Sequence, residues 1–143
     1  MDDDIAQKAW AIAQRAHNGQ TDKAGMPYIT HPERVARQFD DPWYQATALL
    51  HDVREDTDVT TTDLRAAGIP EPVIVAVAAL TRRRNEPAVD YYRKINAAGP
   101  MAVAVKLADI DDNSDWSRLR MLDPATRDRL TAKYTAARQQ LAA

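Results

Sequence analysis

The feature that most constrains the fold is an apolar run near the middle of the chain. Residues Pro72 to Leu80 carry no charged side chain, so this segment has no face suited to water. A second run begins at Gly99-Pro100 and stays apolar as far as Lys106. β-Branched residues in 73–77 and 101–105 are also consistent with strands. Both runs continue through Ala and Leu beyond the length of an ordinary strand, so we predict two buried helices.

Prolines, glycines and Asp-Pro pairs divide the rest of the chain into further helices. We expect a loop at 19–30. The boundary signals are Asp2–Asp4 and Asn18-Gly19 for the first helix, Pro32 and about Phe39 for the second, Asp41-Pro42 for the third, Thr60 or Thr61 and Gly68 for a short one, Pro87 or Ala88 and Ala98 for another, and Asp123-Pro124 for the last. The sequence therefore predicts an all-α protein with one domain over residues 1–143.

Composition excludes several classes of protein. The chain has 143 residues, 45% of them hydrophobic, which is typical of a globular domain with a core. The net charge is -2 without a basic stripe, so we expect no binding to DNA or RNA duplexes. The absence of cysteine excludes disulfides, thiolate metal sites and a Cys nucleophile, and it agrees with a cytoplasmic location. We see no signal peptide and no apolar run long enough for a membrane.

Ionisable residues appear where a helix core is expected. The segment ALLHDVREDT, residues 48–57, begins as a core helix and then places His51, Asp52, Glu55 and Asp56 within six residues. A buried helix face does not carry such groups unless something binds them. On one continuous helix, His51 and Glu55 would share a face, as would Asp52 and Asp56.

Two other segments carry similar residues. In VKLADIDDN, Lys106 and Asp109 follow an apolar run, and Asn113 lies one turn beyond Asp109. In PYITHP, a histidine lies at a predicted helix start. Two imidazoles and two carboxylates can fill four positions on a cation such as Mn²⁺, Fe²⁺ or Zn²⁺. We therefore predict a metal site formed by His31, His51, Asp52 and Asp109.

The same segment places two more carboxylates one helical turn beyond the predicted ligands. A metal with positions open to water generates a nucleophile near neutral pH. Glu55 and Asp56 would then orient or deprotonate that water, which indicates hydrolysis. Each residue also has a simpler explanation: a His-Asp pair is common, His31 can cap a helix or lie at the surface, and Asp109 can pair with Lys106. None of these explanations accounts for the order H…HD…D within apolar helices.

This order resembles the signature of the HD-domain metal-dependent phosphohydrolases. More narrowly, the chain resembles the hydrolase domain of the RelA/SpoT-type enzymes, especially the small stand-alone members. The matching segments are AHNGQTDKAGMPYITHPERVA, ALLHDVREDTDVT, Leu80-Thr81 and VKLADIDDN. The resemblance implies a compact helical HD-domain fold, one Mn²⁺ at the four predicted ligands, and a catalytic acidic pair, Glu55 and Asp56. It also implies removal of the 3′-pyrophosphate from (p)ppGpp, giving GDP or GTP and pyrophosphate.

The resemblance extends to residues around the nucleotide. The positions that match are Arg15, Lys23, Tyr28, Lys106 and Asn113. Lys23 matches the Lys of an Arg-Lys pair that flanks guanine in the larger enzymes, but Asp22 stands in place of the Arg. This change removes a cation able to stack on a base. Met26 stands where the larger enzymes often have Glu. A solvated face for Arg15 and core packing for Tyr28 are equally consistent with the sequence.

Three arginines end the central helix in TRRRNEP, residues 81–87. Cations there complement the helix dipole, and guanidinium groups also bind phosphate in a bidentate manner. We predict that one of Arg82, Arg83 and Arg84 contacts phosphate. Tyr91 resembles a Tyr of the small members and is expected to face the pocket. We expect His17 to pack or hydrogen-bond structurally.

Two other functions remain open from the sequence. Asp22 is consistent with the same chemistry on another phosphorylated nucleotide or dinucleotide. A nucleotide-sensing module without activity is the other alternative, although such a module need not keep Glu55 and Asp56. No synthetase segment follows residue 143, so we expect no alarmone synthesis by the family route. A nucleotide is the expected partner, and the oligomeric state, including a homodimer, stays open.

Overall fold

The computed structural model describes residues 3–141, and these residues form helices joined by loops, the longest of which spans 17–29. The helices are α1 (Asp4–Ala16), α2 (Thr30–Ala36), α3 (Pro42–Leu50), α4 (Val53–Asp56), α5 (Thr61–Ala66), α6 (Glu71–Leu80), α7 (Ala88–Ala98), α8 (Pro100–Asn113), α9 (Trp116–Leu119) and α10 (Pro124–Gln140). Within this range there is no strand, and the bridge between Thr21 and Pro27 is isolated. The all-α prediction is confirmed. Asp2, part of the predicted first helix start, lies outside the described residues.

Helix α3 lies at the centre of the fold. It packs against α1, α2, α6 and α8, and residues 45–50 are all buried. The Asp41 carboxylate accepts a hydrogen bond of 2.8 Å from the backbone N–H of Trp43, and Pro42 occupies the first turn. This capped start, followed by Ala and Leu, fixes α3 where its C-terminal end can carry functional residues inside the core.

Helix α6 is buried on one side only. Val73, Ile74, Ala76, Val77 and Leu80 belong to the core, whereas the Val75 side chain is 54% exposed. The expectation of a central helix surrounded on every side is therefore wrong for α6. The reason is that α3 takes the central position, so α6 packs against α3, α5, α7 and α8 and leaves one face outward.

The helix that carries ALLHDVREDT is interrupted. α3 ends at Leu50, and a separate four-residue helix, α4, begins at Val53. The His51 N–H bonds to the Ala48 carbonyl three residues back at 3.4 Å, and His51 Nδ1 contacts the same carbonyl at 2.5 Å. The ring thus closes the end of α3 with its own side chain. The expectation that His51 and Glu55 share a face of one continuous helix is wrong.

One other boundary and one additional helix differ from the sequence expectation. α2 ends at Ala36 and not near Phe39, because the N–H groups of Gln38 and Phe39 bond three residues back in a tighter turn. Helix α9 was not predicted; Asp115 caps it by accepting from the Ser117 N–H at 2.9 Å. Among residues 3–141, no helix is both long and apolar enough to cross a bilayer.

Candidate active site

Two imidazoles and two carboxylates converge between α2, the end of α3 and α8. Nε2 of His31 lies 2.8 Å from Oδ1 of Asp109, and Nε2 of His51 lies 3.2 Å from the same oxygen. Oδ2 of Asp52 lies 3.1 Å from His51 Nε2. The ligand atoms of His31, His51 and Asp52 all lie within 4.8 Å of one another. The structure thus brings the four residues of the predicted metal site together.

This donor set fits a divalent cation. His31, His51 and Asp109 are each at most 5% exposed, and charges buried to that degree need a partner. Burial raises the pKa of Asp109, but Lys106 and His51 outweigh it and hold this pKa well below its usual range. Burial lowers the pKa of His51, but the carboxylates of Asp52 and Asp109 raise it well above the usual value. The site therefore attracts positive charge, and a metal would compete with the imidazole protons.

Each histidine is oriented through its second ring nitrogen. His51 Nδ1 contacts the Ala48 carbonyl, as described above, and His31 Nδ1 lies 2.7 Å from Oδ2 of Asp112. Asp112 in turn accepts hydrogen bonds from Arg34 Nε at 2.9 Å and pairs with Arg118 Nη2 at 3.1 Å. Partners that accept from Nδ1–H leave Nε2 as the lone-pair donor towards the centre of the site.

Asp112 is a functional candidate that the sequence reasoning missed. Burial raises its pKa, but the hydrogen bonds from His31 and Arg34 lower it to about 2. The available signal was its spacing, because Asp112 lies three residues after Asp109 on α8 and therefore on a similar face of that helix. The adjacent Asp111, which is exposed and pairs with Arg138 at 2.9 Å, made the two acids look equivalent.

Two residues that were predicted to bind the substrate contact Asp109 instead. Lys106 Nζ lies 2.9 Å from Oδ2 of Asp109, and Asn113 Nδ2 donates to Oδ1 at 3.2 Å. Burial lowers the pKa of Lys106, but Asp109 raises it above its usual value, so the ammonium stays charged. Asp109 thus forms the ion pair with Lys106 that the simpler explanation predicted, and it also lies together with the other three predicted ligands.

Tyr28 connects the site with an adjoining cavity. Its hydroxyl donates to Oδ2 of Asp52, and its ring centroid lies 4.9 Å from that of His17 and 5.8 Å from that of His31. Burial and the charge of Asp52 raise the pKa of Tyr28, so it remains a neutral donor. Tyr28 therefore fixes one oxygen of a predicted ligand while its ring lines the cavity.

Glu55 and Asp56 lie on α4 directly after the predicted ligands. Both side chains belong to exposed residues, in contrast to the buried histidines. Partial burial, followed by the negative charge of Asp52, raises the pKa of each carboxyl. A carboxylate with a raised pKa is a better proton acceptor near neutral pH than an ordinary one.

A cavity of about 490 Å³ adjoins His31 and Tyr28. Its wall includes the predicted residues Lys23, Tyr28 and Asn113. Further lining residues come from α9, α10 and the segment between them, and no sequence signal indicated them: Arg118, Leu119, Met121, Leu122, Leu130, Lys133 and Tyr134. The cavity thus combines positive charge with an apolar surface, as a nucleotide site requires.

Asp22 has a defined role in the loop beside this cavity. Its Oδ1 accepts from the N–H groups of Ala24 and Met26, both at 2.9 Å. Its own N–H donates to the Met26 carbonyl at 2.8 Å, and Gly25 supplies the positive φ of 82° that this turn needs. The carboxylate at the position of the family Arg therefore builds the turn that carries Lys23.

The remaining predicted residues lie elsewhere. Arg15 lines a second cavity, of about 680 Å³, together with Gln20 and Asp56. Arg82 donates to the Glu86 carbonyl at 3.1 and 3.0 Å, and Tyr91 donates to the Leu80 carbonyl at 2.7 Å. Neither Arg82 nor Tyr91 lines the cavity beside His31 or the one beside Arg15. Arg83 and Arg84 are exposed. Tyr91 approaches the site through Lys106, whose Nζ lies 5.4 Å from its ring centroid.

The chain matches no family model, but it has curated relatives. It is 38% identical over 122 residues to a guanosine-3′,5′-bis(diphosphate) 3′-pyrophosphohydrolase of Vibrio cholerae, covering 75% of this chain and 17% of the relative. It is 34% identical over 136 residues to the bifunctional (p)ppGpp synthase/hydrolase SpoT of Escherichia coli, covering 87% and 19%. The chain thus spans about a fifth of the length of these curated relatives.

A solved structure gives the fold independently. It is described as a metazoan ortholog of SpoT that hydrolyzes ppGpp, and it matches with a TM-score of 0.80 at 23% identity, over 98% of this chain and 86% of that one. The fold and the clustered His and Asp residues define a helical domain of the HD type. Within that class, the chain belongs to the RelA/SpoT family.

Proposed function

We propose that this chain is a divalent-metal-dependent phosphohydrolase that removes the 3′-pyrophosphate of (p)ppGpp. The observation that carries the proposal is the convergence of His31, His51, Asp52 and Asp109 beside a cavity of nucleotide size. Relatives named as (p)ppGpp hydrolases support the choice of substrate. We propose further that residues 1–143 form one domain and that it lies in the cytoplasm, a location that the absence of cysteine favours.

The cofactor we propose is Mn²⁺, held by the two imidazoles and two carboxylates. Nitrogen and oxygen donors of this kind also suit Fe²⁺ and Zn²⁺, so the donor set supports the class of metal more strongly than its identity. When bound, the metal would supply Lewis-acid activation of water and of a phosphoryl oxygen. Asp112 and the Ala48 carbonyl would keep Nε2 of His31 and His51 directed at it.

The acidic pair performs the proton transfers in this proposal. The carboxylates of Glu55 and Asp56 orient the attacking water and accept its proton. The water oxygen then bonds to phosphorus, the bond from phosphorus to the ribose 3′ oxygen breaks, and that oxygen takes up a proton. GDP or GTP and pyrophosphate are the products. The raised pKa of both carboxyl groups supports the role of proton acceptor.

The cavity beside His31 is the proposed nucleotide site. Lys23, Arg118 and Lys133 bring positive charge to its wall, and Tyr28 and Tyr134 bring aromatic surface. Arg15, beside Asp56 in the other cavity, remains a candidate for the departing phosphates. Phosphate contacts by Arg82, Arg83 or Arg84 and a pocket role for Tyr91 stay predictions from the sequence.

Pyrophosphate release from ppGpp in the presence of Mn²⁺ tests the proposal. We expect turnover by the unaltered protein and its loss in His51→Ala and Asp52→Ala, which each remove one ligand. Asp111→Ala serves as the matched control, because Asp111 lies on α8 but pairs at the surface with Arg138. Release no greater than that of the ligand variants would refute the alarmone activity.

A second candidate keeps the chemistry and changes the nucleotide. It is favoured by Asp22, whose carboxylate is committed to a turn and offers no cation to stack on guanine. Turnover of a panel of nucleotides with 2′- or 3′-phosphates decides between the two, and ppGpp as the best substrate by a wide margin would count against the rival. Tight binding without turnover of any member would instead support a sensing module.

A further inference from the structure

His17 is a buried histidine that the proposed chemistry does not use. It follows α1 as its C-cap and is 2% exposed. Its Nδ1 lies 2.9 Å from Oε1 of Gln20, whereas its Nε2 has no hydrogen-bond partner among residues 3–141. A buried polar side chain with half of its capacity unused costs stability. A buried histidine that is only half satisfied beside the site is therefore a candidate for a functional role.

Gln20 connects His17 to the acidic pair. Its Nε2 donates to the backbone carbonyl of Asp56 at 3.2 Å, which turns Oε1 towards His17 and makes Nδ1–H the donor of that bond. The Gln20 N–H also bonds to the His17 carbonyl at 3.0 Å, and Gly19 adopts a φ of 83° between them. This turn holds the two side chains as neighbours. A relay of two hydrogen bonds thus runs from the end of α1 to Asp56.

Asp56 lies at the end of a very short helix. α4 has four residues, too few to be stable as a helix by itself. Asp56 is its last residue, so the Asp56 carbonyl accepts no hydrogen bond from within the helix. The Gln20 amide supplies that missing partner from outside. Loss of this bond would let the end of α4, and the carboxylate it carries, move.

We propose that His17 and Gln20 are positioning residues that hold Asp56 at the reacting water. The inference rests on the proposed function, in which Asp56 acts on that water. His17 acts through Nδ1 and Gln20, and it touches neither metal nor substrate. The competing route runs through its ring contact with Tyr28, whose hydroxyl bonds to Asp52; that route would alter metal binding and leave Asp56 in place.

Paired substitutions separate the two ring nitrogens of His17. An Asn amide can replace the Nδ1–H donor, whereas a Gln amide reaches the position of Nε2. We expect His17→Asn to keep kcat within about threefold, and His17→Gln to lower kcat about tenfold with KM and Mn²⁺ affinity unchanged. Gln20→Leu should match His17→Gln. Gln14→Leu, the same change on an exposed position of α1, is the control and should have no effect.

A double-mutant cycle tests the route through Asp56. If His17 acts by placing that carboxylate, His17→Gln should lower kcat in the unaltered background and have no further effect in Asp56→Asn. A role in stability alone would lower both backgrounds equally. Three results would each overturn the proposal. The first is that the effects of His17→Gln and Asp56→Asn on kcat are fully additive, and the second is that His17→Gln keeps kcat whereas His17→Asn loses it. The third is that His17→Gln weakens the affinity for Mn²⁺.

Hydrogen–deuterium exchange gives a readout that needs no substrate. The amides of 53–57 should exchange faster in His17→Gln and Gln20→Leu than in the unaltered protein, His17→Asn and Gln14→Leu. If ppGpp is not hydrolysed by any form but this exchange pattern appears, the proposed substrate fails while the relay to α4 stands. Equal exchange of 53–57 in all forms would overturn the relay itself.

Discussion

The carboxylate of Asp112 and the imidazole of His31 meet at 2.7 Å, on the opposite edge of the ring from Nε2. Asp112 also accepts from Arg34 and pairs with Arg118, and both arginines line the cavity proposed for the nucleotide. The side chain behind a predicted metal ligand therefore shares its partners with the wall of the proposed nucleotide cavity. We expect Asp112 to link metal binding with nucleotide binding.

Asp112→Asn should weaken the binding of Mn²⁺ by about 10–100-fold, the usual effect of losing a carboxylate behind a metal-bound histidine. The amide leaves Nδ1 of His31 without a charged acceptor and leaves Arg34 and Arg118 unneutralised. Isothermal titration with Mn²⁺ measures the change. Asp111→Asn is the matched control, since its exposed carboxylate contacts Arg138. Equal affinities for the two variants would contradict the role given to Asp112.

Removal of the metal should lower the melting temperature. A cation that binds only the folded chain stabilises it by about 2.7 kcal/mol when present at 100 times its Kd. For a domain of this size, that corresponds to a rise of about 5–10 °C. Calorimetry with added Mn²⁺ and with a chelator measures it. The difference should disappear in Asp109→Asn, and a melting temperature that ignores Mn²⁺ in the unaltered protein would exclude the metal site.

Much of this site could be predicted from residue order alone. His31, His51, Asp52 and Asp109 stand out because they interrupt apolar helices, and burying such groups is costly unless they share a partner. The helix starts at Asp41-Pro42 and Asp123-Pro124 were equally readable, since capping is a local property. These features depend on neighbours in the sequence.

Other features depend on contacts that the sequence does not display. The helix breaks after Leu50 because the His51 ring bonds to the Ala48 carbonyl. The helical periodicity of the sequence does not reveal this contact. Lys133 and Tyr134 of α10 line the same cavity as Lys23, although more than a hundred residues separate them from it in the sequence. Asp112 differs from Asp111 only through the partners that tertiary structure provides.

Asp22→Arg should disturb the loop that carries Lys23, although it introduces the residue that the larger enzymes of the resemblance have at this position. The substitution removes two backbone hydrogen bonds to Ala24 and Met26, which contribute on the order of 1 kcal/mol each. We expect KM for ppGpp to rise several-fold with little change in kcat, because Lys23 is less well placed. Asp22→Asn keeps an acceptor for both N–H groups and should retain the original KM. A lower KM in Asp22→Arg would show that the base contact outweighs the turn.

The pH dependence should report the acidic pair when the metal is saturating. In the proposed mechanism Glu55 and Asp56 act as carboxylates, and partial burial together with the charge of Asp52 raises the pKa of each. Because protonation of a group with a raised pKa begins at higher pH, kcat should fall on the acid side at a pH above the value of about 4 that is usual for a free carboxyl.

Competition between protons and metal at His31 and His51 would also give an acid limb, but one that moves to lower pH as Mn²⁺ is increased. The limb of the acidic pair should stay in place over a tenfold rise in Mn²⁺. Asp56→Asn should lower kcat by about 100-fold or more, the size of a typical general-base contribution, and should alter this limb without changing Mn²⁺ affinity. A limb that follows the Mn²⁺ concentration throughout would assign the titration to the histidines and remove the support for Asp56 as the base.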